Sequence, residues 1–149
     1  MIQQSLTELF ERDLNKLKEE INLYSEESKI WVLKGEIKNS AGNLALHLIG
    51  NLNHFIGAIL GNSGYLRNRD AEFSDKNIPR AEMINNIDKT IVVIKSSLSK
   101  ISDEDLKKDY PVKVLKDKVT MKTVYFLIHL LGHLNYHLGQ INYHRRLLI

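Results

Sequence analysis

The 149-residue sequence predicts an all-α protein, a four-helix bundle formed by a single domain over residues 1–149. Three observations carry that expectation. Four segments of about 20 to 28 residues repeat apolar side chains at intervals of three and four, the spacing that lines one face of a helix. Two longer polar connections separate them, a pattern that suits a bundle better than other helical arrangements. The length is enough to bury a core without staples, and the absence of cysteine means that none is supplied by disulfides.

The first helix is expected from Ile2 to about Tyr24, with Leu6, Leu9, Phe10, Leu14, Leu17, Ile21 and Leu23 in helical register. Ser25 to Lys38 breaks the pattern, Trp31 and Val32 within it are expected to pack onto the bundle, and Asn39-Ser40 offers an N-cap. A second helix follows from Ala41 to about Leu60, with Leu44, His47, Leu48, Asn51, Phe55, Ala58 and Ile59 at helical intervals. It carries Gly42, Gly50 and Gly57 inside it. Each interior glycine costs about 1 kcal/mol relative to alanine, so three of them argue for close packing or a nearby ligand.

Gly61-Asn-Ser-Gly64 ends that helix, and Tyr65 to Phe73 reads as a charged loop leading to Pro79. The third helix opens after this proline and runs from Arg80 to Ser99, aligning Met83, Ile84, Ile87, Ile91, Ile94 and Leu98. Lys100 to Val119 is polar, and the alternation within Tyr110 to Val119 fits an extended segment or short hairpin. Thr120 is the expected cap of the fourth helix, which continues to about Leu147.

The 21 basic and 18 acidic residues are interspersed, giving a formal charge of +3 without a basic stripe or nucleic-acid motif. No nucleic-acid partner is expected. Acids and polar residues occupy the start of the chain where a signal peptide would be basic and then apolar, so a cytoplasmic location is expected. Apolar runs such as Val124 to Ile128 are far shorter than the roughly 20 residues needed to cross a bilayer, and no membrane association is expected.

Chemistry concentrates in the six histidines. His133 and His137 are four apart, about 40° around a helix, so both imidazoles can reach one ion. His47, on the apolar face of the second helix, is the candidate third ligand. Without cysteine, a bound metal needs nitrogen or oxygen donors, and three neutral imidazoles leave a coordination position open for chemistry. The zinc-protease pattern is excluded because Leu134 stands where that motif has its glutamate. His54 and His129 suit supporting or packing roles, and His144, beside Arg145-Arg146, is expected to be solvated. Asn51, Tyr136 and Gln140 can orient a ligand or bound water, or hydrogen-bond within the bundle. The Arg67–Phe73 loop can line a pocket mouth, anchor an anionic group, or form a solvated turn.

Three segments, Asn43-Leu-Ala-Leu-His47-Leu-Ile-Gly-Asn51, Arg67-Asn-Arg-Asp-Ala-Glu-Phe73 and His133-x-x-x-His137-x-Gly-Gln140, resemble the DinB-like superfamily of bacterial four-helix proteins. The resemblance covers nearly the whole chain and implies up-down-down-up topology, a homodimer, and a divalent zinc or nickel ion held by His47, His133 and His137. Some relatives in that superfamily are metal-dependent thiol transferases using bacillithiol, mycothiol or glutathione; one is a maleylpyruvate isomerase. Leu138 departs from the residues often found before the Gly-Gln pair. The expected function is therefore metal-assisted activation of a low-molecular-weight thiol or of water on a small-molecule substrate. Hydrolysis would need a base, and no carboxylate stands clearly near the triad in sequence, Glu72 being a guess; this favours the thiol. The alternatives are a non-enzymatic homodimeric bundle that binds a metal or small ligand, and an interaction module.

Overall fold

The computed structural model describes residues 1–114, 116–117 and 120–148, and the regular structure among them is helical, with no strand. Four long helices carry the fold: α1 (Ile2–Asn22), α2 (Ala41–Leu52, continued by a π-helical turn over Asn53–Ala58), α4 (Arg80–Ser99) and α5 (Thr123–Leu147). A short helix, α3 (Arg69–Ser74), lies between α2 and α4, and single 3-10 turns occupy Glu27–Trp31 and Asp105–Lys107.

Local chemistry sets most of the boundaries. Ser40 caps α2, its hydroxyl oxygen accepting from the Asn43 N–H at 3.2 Å, an interaction worth about 1 kcal/mol. Pro79 immediately precedes α4, where its fixed φ and missing N–H cost nothing. The charged stretch expected as a loop instead folds its second half into α3, because the Asn68 side chain accepts from the Ala71 N–H at 3.2 Å. Thr120 is not the cap of α5. That helix begins at Thr123, whose N–H and hydroxyl both donate to the Lys108 carbonyl at 2.8 and 3.0 Å. A contact across the preceding connection thus fixes the start of α5. The extended alternation expected over Tyr110–Val119 falls partly on Leu115, Lys118 and Val119, outside the described residues. Among the described residues the extended pairing is a single antiparallel bridge, Asp109–Lys122, which flanks that stretch and includes none of it.

The core gathers the apolar faces of the four long helices. Phe10, Leu14, Leu17 and Ile21 of α1 meet Met83, Ile87, Ile94 and Leu98 of α4, and Leu44, Leu48 and Leu52 of α2 join Leu127, Leu130, Leu134 and Ile141 of α5. Side-chain pairs fix how the helices lie. Between α1 and α4, Gln3 reaches the Leu98 carbonyl, Glu11 pairs with Lys95, and Lys18 with Asp88. Between α1 and α5, Asn135 donates to Asp13 and Asn142 to Glu20. Asn53 donates to Thr90 between α2 and α4.

Two of the α2 glycines are explained by packing. A Cβ at Gly42 would lie 2.6 Å from the Trp31 ring, and one at Gly57 would lie 2.8 Å from Val93. Trp31 packs against the core as expected, whereas Val32 stays exposed. No helix among the described residues is long and apolar enough to cross a membrane.

Candidate metal centre

His47 projects from α2 toward His133 and His137 of α5, and the three imidazoles meet. His47 Nε2 lies 3.2 Å from His133 Nε2, which lies 3.1 Å from His137 Nε2. The rings stand edge-on, with interplanar angles of 79° to 87°. Zinc–nitrogen bonds of about 2.0–2.1 Å in tetrahedral geometry require nitrogens roughly 3.3 Å apart, a spacing that both of these separations approach, and one ring nitrogen from each of the three histidines lies within 4.8 Å of the others. Among the described residues this is the one group of three or more potential ligands close enough to share a metal.

Two of the three outer nitrogens, those of His47 and His137, are held as metal-binding imidazoles require. Glu72, only 6% exposed, takes a hydrogen bond at 3.0 Å from His47 Nδ1. A carboxylate only accepts, so the His47 proton sits on Nδ1 and the Nε2 lone pair is free. Arg67 closes on the same carboxylate through Nε at 2.8 Å and Nη2 at 2.9 Å. Its Nη2 also lies 3.5 Å from His47 Nδ1. Two donors face each other there, and the carboxylate between them takes both protons. On α5, Gln140 Oε1 accepts from His137 Nδ1 at 2.7 Å, which leaves that Nε2 free as well.

Glu72 reaches this position because the main chain makes room. A Cβ at Gly50 would stand 1.9 Å from Glu72 Oε2 and 2.6 Å from its Cδ. Asn43, one turn before His47, donates to the carbonyls of Glu72 and Asp75 at 3.0 and 2.9 Å and thereby ties the end of α3 to α2. Asn43, Gly50, Arg67 and Glu72 thus form one support behind His47.

Burial, the largest cause, pushes the imidazole of His133 down to about 4; neighbouring His137 and His47 push in the same direction. Burial also lowers His47, outweighing the opposing pull of Glu72. Both rings are therefore neutral at pH 7, the state in which an imidazole can donate to a cation. His133 Nδ1 and Asn51 Oδ1 are both buried without a hydrogen-bond partner. An ion on His133 Nε2 would require the proton on that Nδ1.

The remaining sequence candidates divide clearly. Gln140 supports His137, and Tyr136, 66% exposed, sets its ring edge against His137 at 5.4 Å. Asn51 is buried one turn beyond His47 and makes no hydrogen bond to the triad. His54 packs on Phe55, and exposed His129 stacks on Phe126; neither joins the triad. Leu138 faces the core. His144, expected in solvent, is instead buried: its Nε2–H donates to the Val32 carbonyl at 2.7 Å, and its Nδ1 accepts from Tyr24 at 2.6 Å. The two arginines beside it misled because they project from other faces of α5. Glu72 is the carboxylate that sequence proximity did not reveal. A usable signal was present, since Gly50 stands three residues after His47 on a helix where glycine is otherwise unfavourable.

A cavity of 430 Å³ adjoins the triad, between the connector at residues 36–39 and the C-terminal half of α5. His137 and Gln140 form one wall; Leu44, Ile37, Tyr143 and Leu147 supply apolar surface.

Four long helices and three convergent imidazoles define an all-helical protein with a candidate site for a divalent metal. The chain belongs to the family described as protein of unknown function (DUF1572), whose model matches residues 3–149. No curated protein and no solved structure matches it.

Proposed function

We propose that this chain is a single-domain, metal-dependent enzyme in which His47, His133 and His137 hold one zinc or nickel ion, and that its reaction activates a low-molecular-weight thiol toward a small-molecule electrophile. The carrying observation is the convergence of three imidazoles, with His133 Nε2 at 3.2 Å from His47 Nε2 and 3.1 Å from His137 Nε2, from rings whose outer nitrogens on His47 and His137 have acceptors. Such an ion would supply Lewis acidity at an open position, lowering the pKa of a bound thiol or water.

The rest of the chemistry falls to side chains. Glu72 fixes the tautomer and aim of His47, and Gln140 does the same for His137. A hydrolase reading is weaker because Glu72, already bonded to Arg67 twice and to His47, is not placed as a free base. The adjoining cavity supports a small-molecule substrate.

Kinship with the DinB-like superfamily, including its up-down-down-up bundle, is part of this reading. The pairs Gln3–Leu98, Glu11–Lys95 and Lys18–Asp88 favour opposed α1 and α4, while Asp13–Asn135 and Glu20–Asn142 favour parallel α1 and α5. A cytoplasmic homodimer completes the proposal.

Elemental analysis of the untagged protein tests it, beside a variant with alanine at all three histidines. About one zinc or nickel per chain, absent from the variant, supports the site and justifies screening thiols against electrophiles. Equal metal content in both, or none after zinc and nickel are offered, refutes it and leaves a non-enzymatic bundle.

A further inference from the structure

The cavity beside His137 has a composition that selects a kind of ligand. Its wall nearest the triad is His137 with Gln140, and the surface leading away from them is Leu44, Ile37, Tyr143 and Leu147. At 430 Å³ it falls within the range of small-molecule sites. The other cavities described, of 210 to 320 Å³, touch none of the three histidines. Lys38 and Glu36 both stand at the wall, and neither makes an ion pair among the described residues. Their charges offset each other two residues apart, so net charge does not select the ligand. Apolar surface does.

We propose that this cavity receives the aliphatic body of a small amphipathic molecule whose polar head reaches the metal position formed by His47, His133 and His137. The proposal rests on the metal reading above and adds the class of compound the site accepts: an ion-binding head on a medium-length apolar chain. The head end is set by His137, which belongs to both the triad and the cavity wall. The chain end lies along Leu147 and Ile37, one from the end of α5 and one from the connector.

The test uses zinc-loaded protein, its metal content measured first, titrated calorimetrically with acetohydroxamate, hexanohydroxamate and octanohydroxamate. All three carry the same zinc-binding head. Affinity is expected to rise about fourfold for each methylene that leaves water until the cavity is filled. In Ile37→Asp and Leu147→Asp proteins, both altered at the cavity wall away from the triad, zinc content should persist while the chain-length dependence disappears. Equal affinity for all three hydroxamates on zinc-loaded wild-type protein would overturn the proposal and leave the metal site standing. Dependence on chain length that survives both variants would also overturn it. Wild-type protein that takes up no zinc would overturn the metal reading itself, and this inference with it.

Discussion

Gly50→Ala adds a single methyl group behind the metal position and isolates the role of Glu72. The new Cβ would stand 1.9 Å from Glu72 Oε2, and ordinary contact begins near 3.4 Å, so the carboxylate must retreat by about 1.5 Å. That movement breaks or badly stretches hydrogen bonds now at 2.8, 2.9 and 3.0 Å to Arg67 and His47. Hydrogen bonds to charged groups contribute about 1.5–3 kcal/mol each, though not additively, and the buried charges left behind lose their partners. Alanine returns only about 1 kcal/mol of helix propensity. The net expectation is a loss of roughly 2–4 kcal/mol in urea unfolding of the metal-free protein. With His47 no longer oriented, zinc affinity measured by chelator competition should fall about 10- to 100-fold. Gly139→Ala is the matched control. It lies on the exposed side of α5 where a Cβ meets nothing within 4 Å, so it should stabilise by about 0.5–1 kcal/mol. If Gly50→Ala also stabilises and leaves zinc affinity unchanged, Glu72 does not hold His47 and the account of this support is wrong.

Further expectations concern protons and a buried hydrogen bond. Because His133 is pushed down to about 4 from its ordinary 6.5, the folded metal-free protein binds fewer protons than the unfolded chain between those values. Its contribution is therefore fully present above pH 6.5 and lost as pH falls through about 4; urea midpoints against pH should show this, with a shallower slope in His133→Ala, and an identical slope would contradict it. Tyr24→Phe leaves buried His144 Nδ1 without its close donor and should cost about 1–3 kcal/mol in unfolding free energy, whereas an unchanged urea midpoint would mean that water replaces the hydroxyl.

The four long helices were legible because each buries one face, and burial of one face imposes the three-and-four rhythm that the sequence displays. The triad was legible for the same reason: His133 and His137 share a turn, and His47 stands among apolar neighbours. Legibility ended where contacts join distant segments. The start of α5 depends on the Lys108 carbonyl, so a local reading placed the cap at Thr120. His144 is held by Tyr24 and Val32, more than a hundred residues away, and its basic neighbours pointed the wrong way. Glu72 lies in a charged run that looks solvated. Only its approach to Gly50 and the hold of Asn43 on its carbonyl bring it beneath His47.

The fork between Arg67 and Glu72 also decides how much positive charge a bound ion would keep. Guanidinium and carboxylate cancel one another, and the three imidazoles carry no charge when neutral, so the surrounding side chains would leave a divalent cation close to its full formal +2. Electroneutrality in a partly buried place then falls to the incoming ligand. An anion such as thiolate, hydroxide or carboxylate should be held more strongly than any neutral molecule of the same shape. Converting Arg67 to a neutral residue would release the carboxylate's charge toward the cation and narrow that preference.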